Sequence, residues 1–207
     1  MTKIIACFAF FLLLISCNES RPGKNHSSTD KETNQVEEKS LLTLGGEKQY
    51  VEITGTSDKK PVLLFIHGGP GWPQTPQLRY FNADLTKDFI LVTWDQRGCG
   101  KSFLQNPEPG NMTLDQIVSD AHELTLLLKD KFKQQKIFLA GYSWGSIVGL
   151  TLARKYPADY ISYTGIAQVI NMKLGMQTTQ NWLKERAKEK NDTVTLESLQ
   201  RLRASDS

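Results

Sequence analysis

Ile137-Phe138-Leu139-Ala140-Gly141-Tyr142-Ser143-Trp144-Gly145-Ser146 is the stretch that decides how the rest of the chain is read. A short apolar run leads into Gly-x-Ser-x-Gly, and a helical pattern over 146–156 follows until Pro157 stops it. In a strand–turn–helix setting such a turn strains the serine and exposes its hydroxyl. The flanking glycines remove Cβ atoms where strand and helix crowd together. The helix start turns backbone N–H groups and the positive end of its dipole towards the same place. Ser143 is therefore the candidate nucleophile; the plainer alternative is a structural serine in a tight turn.

Working outward, further unbroken apolar runs occur at 61–67, 89–94 and 160–167, and a short alternating segment at 50–54 reads as one strand of an antiparallel pair. Continuous apolar strands suit a sheet buried on both faces. Helical patterns alternate with them. Residues 113–132 carry Leu114, Ile117, Val118, Ala121, Leu124 and Leu128 along one stripe, and Thr113 with Gln116 forms a capping-box signature. Another helix is expected over 173–190. The alternation predicts an α/β fold: a mostly parallel sheet with helices on both faces.

Two more glycine-rich segments follow strands, where α/β proteins build their sites. They are His67-Gly68-Gly69-Pro70-Gly71 and Asp95-Gln96-Arg97-Gly98-Cys99-Gly100-Lys101-Ser102. With GYSWGS at 141–146, in this order and spacing, the chain resembles the α/β-hydrolase fold, and within it the proline iminopeptidase-like serine aminopeptidases. The resemblance covers about residues 41–169. One departure is Tyr142, where iminopeptidases usually carry Gly, and it weakens the case for proline specificity.

The resemblance implies an oxyanion hole made by the backbone N–H groups of Gly69 and Trp144, a glycine at 69 leaving the approach open. It also implies that His67 braces its loop, that Asp95 and Arg97 fix neighbouring loops, and that Cys99 fills a small buried space. The activity implied is release of N-terminal residues from small peptides through an acyl-enzyme on Ser143. Alternatives are an esterase-like hydrolase or a catalytically dead, lipid-anchored binding module.

A serine nucleophile needs a base and an acid to orient it, and in this fold both follow the serine in sequence. The chain's histidines are His26, His67 and His122, all before Ser143. His122 falls at the edge of the 113–132 stripe and reads as surface. Asp192, Glu197 and Asp206 follow no strand. No triad acid or histidine is thus assigned in this chain. The expectation is an incomplete core of strands one to six, followed by the start of a helical cap and inactive as it stands.

The N-terminus reads as a leader. Lys3 precedes an apolar run over 4–15, too short for the roughly 20 residues that span a bilayer. Leu14-Ile15-Ser16-Cys17 resembles the bacterial lipobox, which implies lipidation of Cys17 and anchoring to the membrane of the cell envelope, on the secreted side. Residues 18–40 contain Val36 as their one aliphatic residue and no aromatic, too little apolar surface to offset ordering. The expected organisation is a signal over 1–16, a flexible linker over 17–40, the core over 41–170 and the cap start over 171–207.

Composition fits one globular domain with appended segments: 207 residues, 39% hydrophobic and 23% charged. The formal charge of +3 gives no reason to expect a nucleic-acid partner. Of the three cysteines, Cys7 lies in the apolar N-terminal run, and the two left in a processed chain, Cys17 and Cys99, are widely separated and make no disulfide framework. No metal-ligand cluster and no phosphate-cradling loop with its lysine appear, so no cofactor is expected.

Overall fold

The structure, a computed structural model, describes residues 34–205. The proposed signal, Cys17 and most of the linker lie outside the described residues.

The elements run β1 (Val36–Leu44), β2 (Glu47–Gly55), β3 (Val62–Ile66), α1 (Thr75–Phe81), β4 (Ile90–Trp94), α2 (Gly100–Gln105), α3 (Leu114–Lys131), β5 (Ile137–Tyr142), α4 (Trp144–Lys155), β6 (Tyr160–Ile166), α5 (Met172–Glu189) and α6 (Thr193–Ser205). Short 3₁₀ turns at Ala83–Lys87 and Pro157–Asp159 lead into β4 and β6. The six strands form one sheet in the order β1-β2-β4-β3-β5-β6. β1 and β2 are a hairpin, β2 runs antiparallel to β4, and β4, β3, β5 and β6 are mutually parallel. The mostly parallel sheet is the one the sequence predicts.

One expected boundary moves. Residues 36–40, assigned to the linker, are the first half of β1, paired from Val36 with Gly55 to Ser40 with Val51. Their alternating half-buried and exposed pattern explains the misreading: an edge strand needs little apolar sequence when its partner supplies the ladder.

Side chains alternate between the two faces, as the pleat requires. Leu64 and Ile66 of β3, Ile90, Val92 and Trp94 of β4, and Ile137 and Leu139 of β5 enter one large core. α3 covers it with Ile117, Val118, Ala121, Leu124 and Leu128, and α4 with Val148 and Leu152. The opposite face holds a small cluster, Phe65, Leu78, Leu91 and Ala140, under α1. Beside that cluster an open groove of about 500 Å³ runs along β5 and β6 past Phe89, Phe138 and Ile166.

The expectation of strands buried on both faces therefore fails at β6, where only Tyr160 is fully buried. Among the described strands β6 pairs with β5 alone, and α4 packs on one of its sides. The capping box at Thr113 is half formed. Thr113 Oγ1 accepts the Gln116 N–H at 3.3 Å, but the Gln116 side chain donates to Asp120 at 2.8 Å instead of turning back.

Candidate functional site

The carboxyl ends of β3, β4 and β5 converge, so the three glycine-rich segments lie side by side. Ser143 sits between β5 and α4 at φ 50°, ψ −116°, a left-handed conformation that costs a non-glycine residue of order 1–3 kcal/mol unless its surroundings fix it. Three things fix it. Gly145 packs its Cα face directly on the β3 end, where a methyl group would collide with the Ile66 and His67 carbonyl oxygens. The Ser143 N–H donates to Ile166 O at 2.9 Å, and the Ser146 N–H donates to Ser143 O at 2.9 Å. Ser143 itself is half-buried. Among the described residues its hydroxyl has no hydrogen-bond partner and is not sealed from solvent.

The 67–71 loop lies against this turn. A methyl group on Gly68 would stand 3.2 Å from Ser143 Cβ and 2.9 Å from the Tyr142 ring. Gly69 takes φ 116° and is followed by a cis bond to Pro70. Any side chain at 69 would be strained, and it would meet the Gly71 and Trp72 nitrogens within 2.8 Å. Among the described residues neither the Gly69 N–H nor the Trp144 N–H has a hydrogen-bond acceptor.

His67 is where the sequence places it and engaged as a brace. Its Nδ1 donates to Gly68 O at 2.8 Å, and its Nε2 accepts the Gln96 N–H at 3.1 Å. Burial pushes the imidazole down to about 4, so it is neutral near pH 7. With both nitrogens occupied, it has no free lone pair for the Ser143 proton. Gln96, which sequence reasoning did not single out, completes the clamp. Its side chain donates to His67 O at 2.9 Å and accepts from the Trp144 indole at 3.2 Å, joining the β3 loop to the nucleophile turn.

Asp95, Arg97 and Cys99 hold loops. Asp95 accepts the Lys101 N–H at 2.8 Å, and burial raises its pKa. The buried Arg97 forks onto Asp120 of α3 at 2.9 and 3.1 Å, donates to Gly45 O at 3.0 Å and pairs with Glu47. Asp120 also accepts from Gln49 at 2.7 Å. Arg97 thus binds the β4–α2 loop to α3 and the β1–β2 hairpin. Burial pushes the Cys99 thiol up to about 12, so it stays protonated and unreactive. His122 corrects its surface expectation: it is half-buried, stacked on Tyr156 with centroids 3.5 Å apart, and bonded to Asp159 at 2.9 Å. Asp159 precedes β6, so His122 sits at the opposite end of the strands from Ser143.

A model of the α/β-hydrolase fold matches residues 61–185. The chain belongs to the α/β-hydrolase fold family. Among curated proteins, a probable aminopeptidase of Bacillus subtilis is 36% identical over 153 residues, covering 74% of this chain and 48% of its own. A proline iminopeptidase of Neisseria gonorrhoeae is 37% identical over 109 residues, covering 52% of this chain and 32% of its own. Among solved structures, a proline iminopeptidase-related protein of Thermus thermophilus superposes with TM-score 0.52 at 26% identity, over 66% of this chain and 46% of that one. The chain spans less than half the length of each of these relatives.

Proposed function

We propose that Ser143 is the nucleophile of a serine hydrolase, and that the whole protein is an aminopeptidase of the proline iminopeptidase type. The observation that carries this is the strained Ser143 turn with Gly68 of the 67–71 loop packed against it. In the first step Ser143 Oγ attacks the acyl carbon of the scissile bond, and its proton passes to a base and then to the leaving amine. The carbonyl oxygen becomes an oxyanion, to which the Gly69 and Trp144 N–H groups donate; each such donor contributes roughly 3 kcal/mol to the transition state. The relatives named aminopeptidase and proline iminopeptidase support the substrate class.

The acid and base of the triad are assigned to sequence beyond Ser207. His67 is committed to its loop and His122 to Asp159, and the matched relatives are more than twice as long as their matched parts. Residues 1–207 alone are then inactive, since losing triad members leaves only about 10³–10⁴-fold over water. Two measurements test this. Coding DNA past Ser207, read in every frame, should encode two further strands bearing an Asp and then a His; unrelated sequence there counts against the assignment. A fluorophosphonate probe should label Ser143 in the extended protein and not in Ser143→Ala, and labelling of Ser143→Ala at the parent rate would refute the nucleophile.

Tyr142 favours a second reading, an esterase-like hydrolase. It abuts Gly68 where the peptidases usually have no side chain. Turnover of proline β-naphthylamide against short p-nitrophenyl esters by the extended protein separates the two. A lipid-anchored module without catalysis predicts no Ser143 labelling even there. The anchoring itself is read from Cys17: metabolic labelling with a fatty acid should mark the parent and not Cys17→Ala, and equal labelling of both removes the anchor.

A further inference from the structure

The Ser143 backbone is held from the side where α5 begins. Its N–H is taken by Ile166 O, at the end of β6. Its carbonyl accepts from both the N–H and the hydroxyl of Ser146. The same Ser146 oxygen accepts the Val169 N–H at 3.0 Å, in the segment that joins β6 to α5. The Ser146 carbonyl in turn accepts from the Tyr163 hydroxyl at 2.8 Å and from Gln168 Nε2 at 3.4 Å. Ser146 is fully buried, so bulk water does not compete for these bonds.

A serine hydroxyl has one proton and two acceptor lone pairs. In Ser146 the proton is committed to Ser143 O and a lone pair to Val169 N–H. One oxygen therefore carries a displacement of the 167–169 segment to the nucleophile carbonyl two bonds away. Ala167, in that segment, is held at φ 50°, as unusual for its residue type as Ser143 is for its own. The strained Ser143 and the two residues that follow the strained Ala167 are thus tied to Ser146, through its hydroxyl and its carbonyl. Two residues beyond Val169, Asn171 caps α5 by accepting the Leu174 N–H at 2.9 Å. The first turns of α5 expose Met172 and Met176 next to the exposed Ile170.

We infer that Ser146 is a positioning residue that couples the start of α5 to the Ser143–Trp144 backbone. It touches neither the attacking oxygen nor a substrate; it sets the direction of the Trp144 N–H through the Ser143 carbonyl. The inference rests on reading Ser143 as the nucleophile, but its test does not depend on turnover.

The test is amide exchange and chemical shift by NMR on this chain. Ser146→Ala should speed exchange at the Val169 and Ser143 amides roughly five- to thirtyfold, the effect of one or two lost hydrogen bonds, with Leu64 and Val92 in the central strands unchanged. Equal acceleration everywhere would mean a mere loss of stability and overturn the inference. Should Ser146→Ala not fold, Tyr163→Phe leaves the Ser146 hydroxyl in place and removes the outer bond to the Ser146 carbonyl together with the contact to Gln168 Oε1 at 2.6 Å. It should give the same pattern in weaker form, and an unchanged Ser143 amide in that variant also overturns it. Asn171→Ala, which frays the start of α5, should shift the Ser143 and Trp144 amide resonances in the parent and leave them still in Ser146→Ala. Equal shifts in both backgrounds would show that the signal bypasses Ser146. Failure of Ser143 labelling in the extended protein would instead remove the nucleophile while leaving this coupling intact.

Discussion

The two faces of the sheet are built to different standards. On the α3/α4 face the inward residues of β3, β4 and β5 are shut into a continuous core, and the loops above it are tied down by a buried ionic network around Arg97 and Asp120. On the α1 face four buried residues form a small cluster, and the rest of β5 and β6 looks onto an open groove. Neighbours on the same strand show the contrast: Leu139 is 1% exposed, while Phe138 lines the groove and meets Phe89 edge-on at 5.3 Å. The nucleophile turn belongs to the first face, through Gly145 and α4. A strained serine can be held only where its surroundings are already rigid, so the chemistry-bearing turn stands on the closed side.

The largest expected effect comes from opening the ionic network. Arg97→Met should cost about 3–5 kcal/mol, because Asp120 is left as an uncompensated buried charge. Urea denaturation checks it, and a loss below about 1 kcal/mol would mean that apolar packing alone closes this face. Next, Leu139→Ala should cost about 2–5 kcal/mol as a core cavity. Phe138→Ala should cost only about 1 kcal/mol, the worth of one aromatic pair at a wet surface. Equal costs would erase the contrast between the faces.

His67 gives a prediction in pH. The unfolded imidazole takes up a proton below about 6.5, and the folded one holds out to about 4. Between those values the unfolded state binds more protons, so stability falls as pH drops from about 6.5 to about 4 and stops falling on this account below that. The full swing is about 3 kcal/mol. Ring ¹⁵N spectra should show His67 neutral with its proton on Nδ1 throughout this window; titration near 6.5 would contradict the brace. The smallest effect is chemical: Cys99 should react with a disulfide reagent at pH 8 only as fast as the chain unfolds, and rapid labelling of the native protein would show a leak beside the 67–71 loop.

Much of this arrangement was legible in the sequence because it rests on local patterns. The strand runs at 61–67, 89–94 and 160–167, the Ser143 turn and the 113–132 helix all carry their signal within a few residues. The brace at His67 and the loop-holding of Asp95 and Arg97 came from resemblance, and the structure supplies the bonds. What was missed depends on partners distant in sequence. Val36–Ser40 looks like linker because its pairing energy comes from β2. His122 looks like surface until Asp159, thirty-seven residues on, takes its proton-bearing edge. Gln96, Tyr163 and Gln168 are unremarkable polar letters whose roles come from where β4 and β6 deliver them.

The unlike margins of the sheet bear on how the protein is made. β1 carries Glu37, Glu38 and Lys39 along its outer margin, and such charges discourage a stranger from pairing there. β6 reads Tyr-Ile-Ser-Tyr-Thr-Gly-Ile, without a charge or a proline, and no described strand lies on its far side. It leaves the ribosome after the other five described strands. Until another segment covers that margin, a crowded cell meets it as a ready template, and the yield of soluble residues 1–207 expressed alone should fall with expression level.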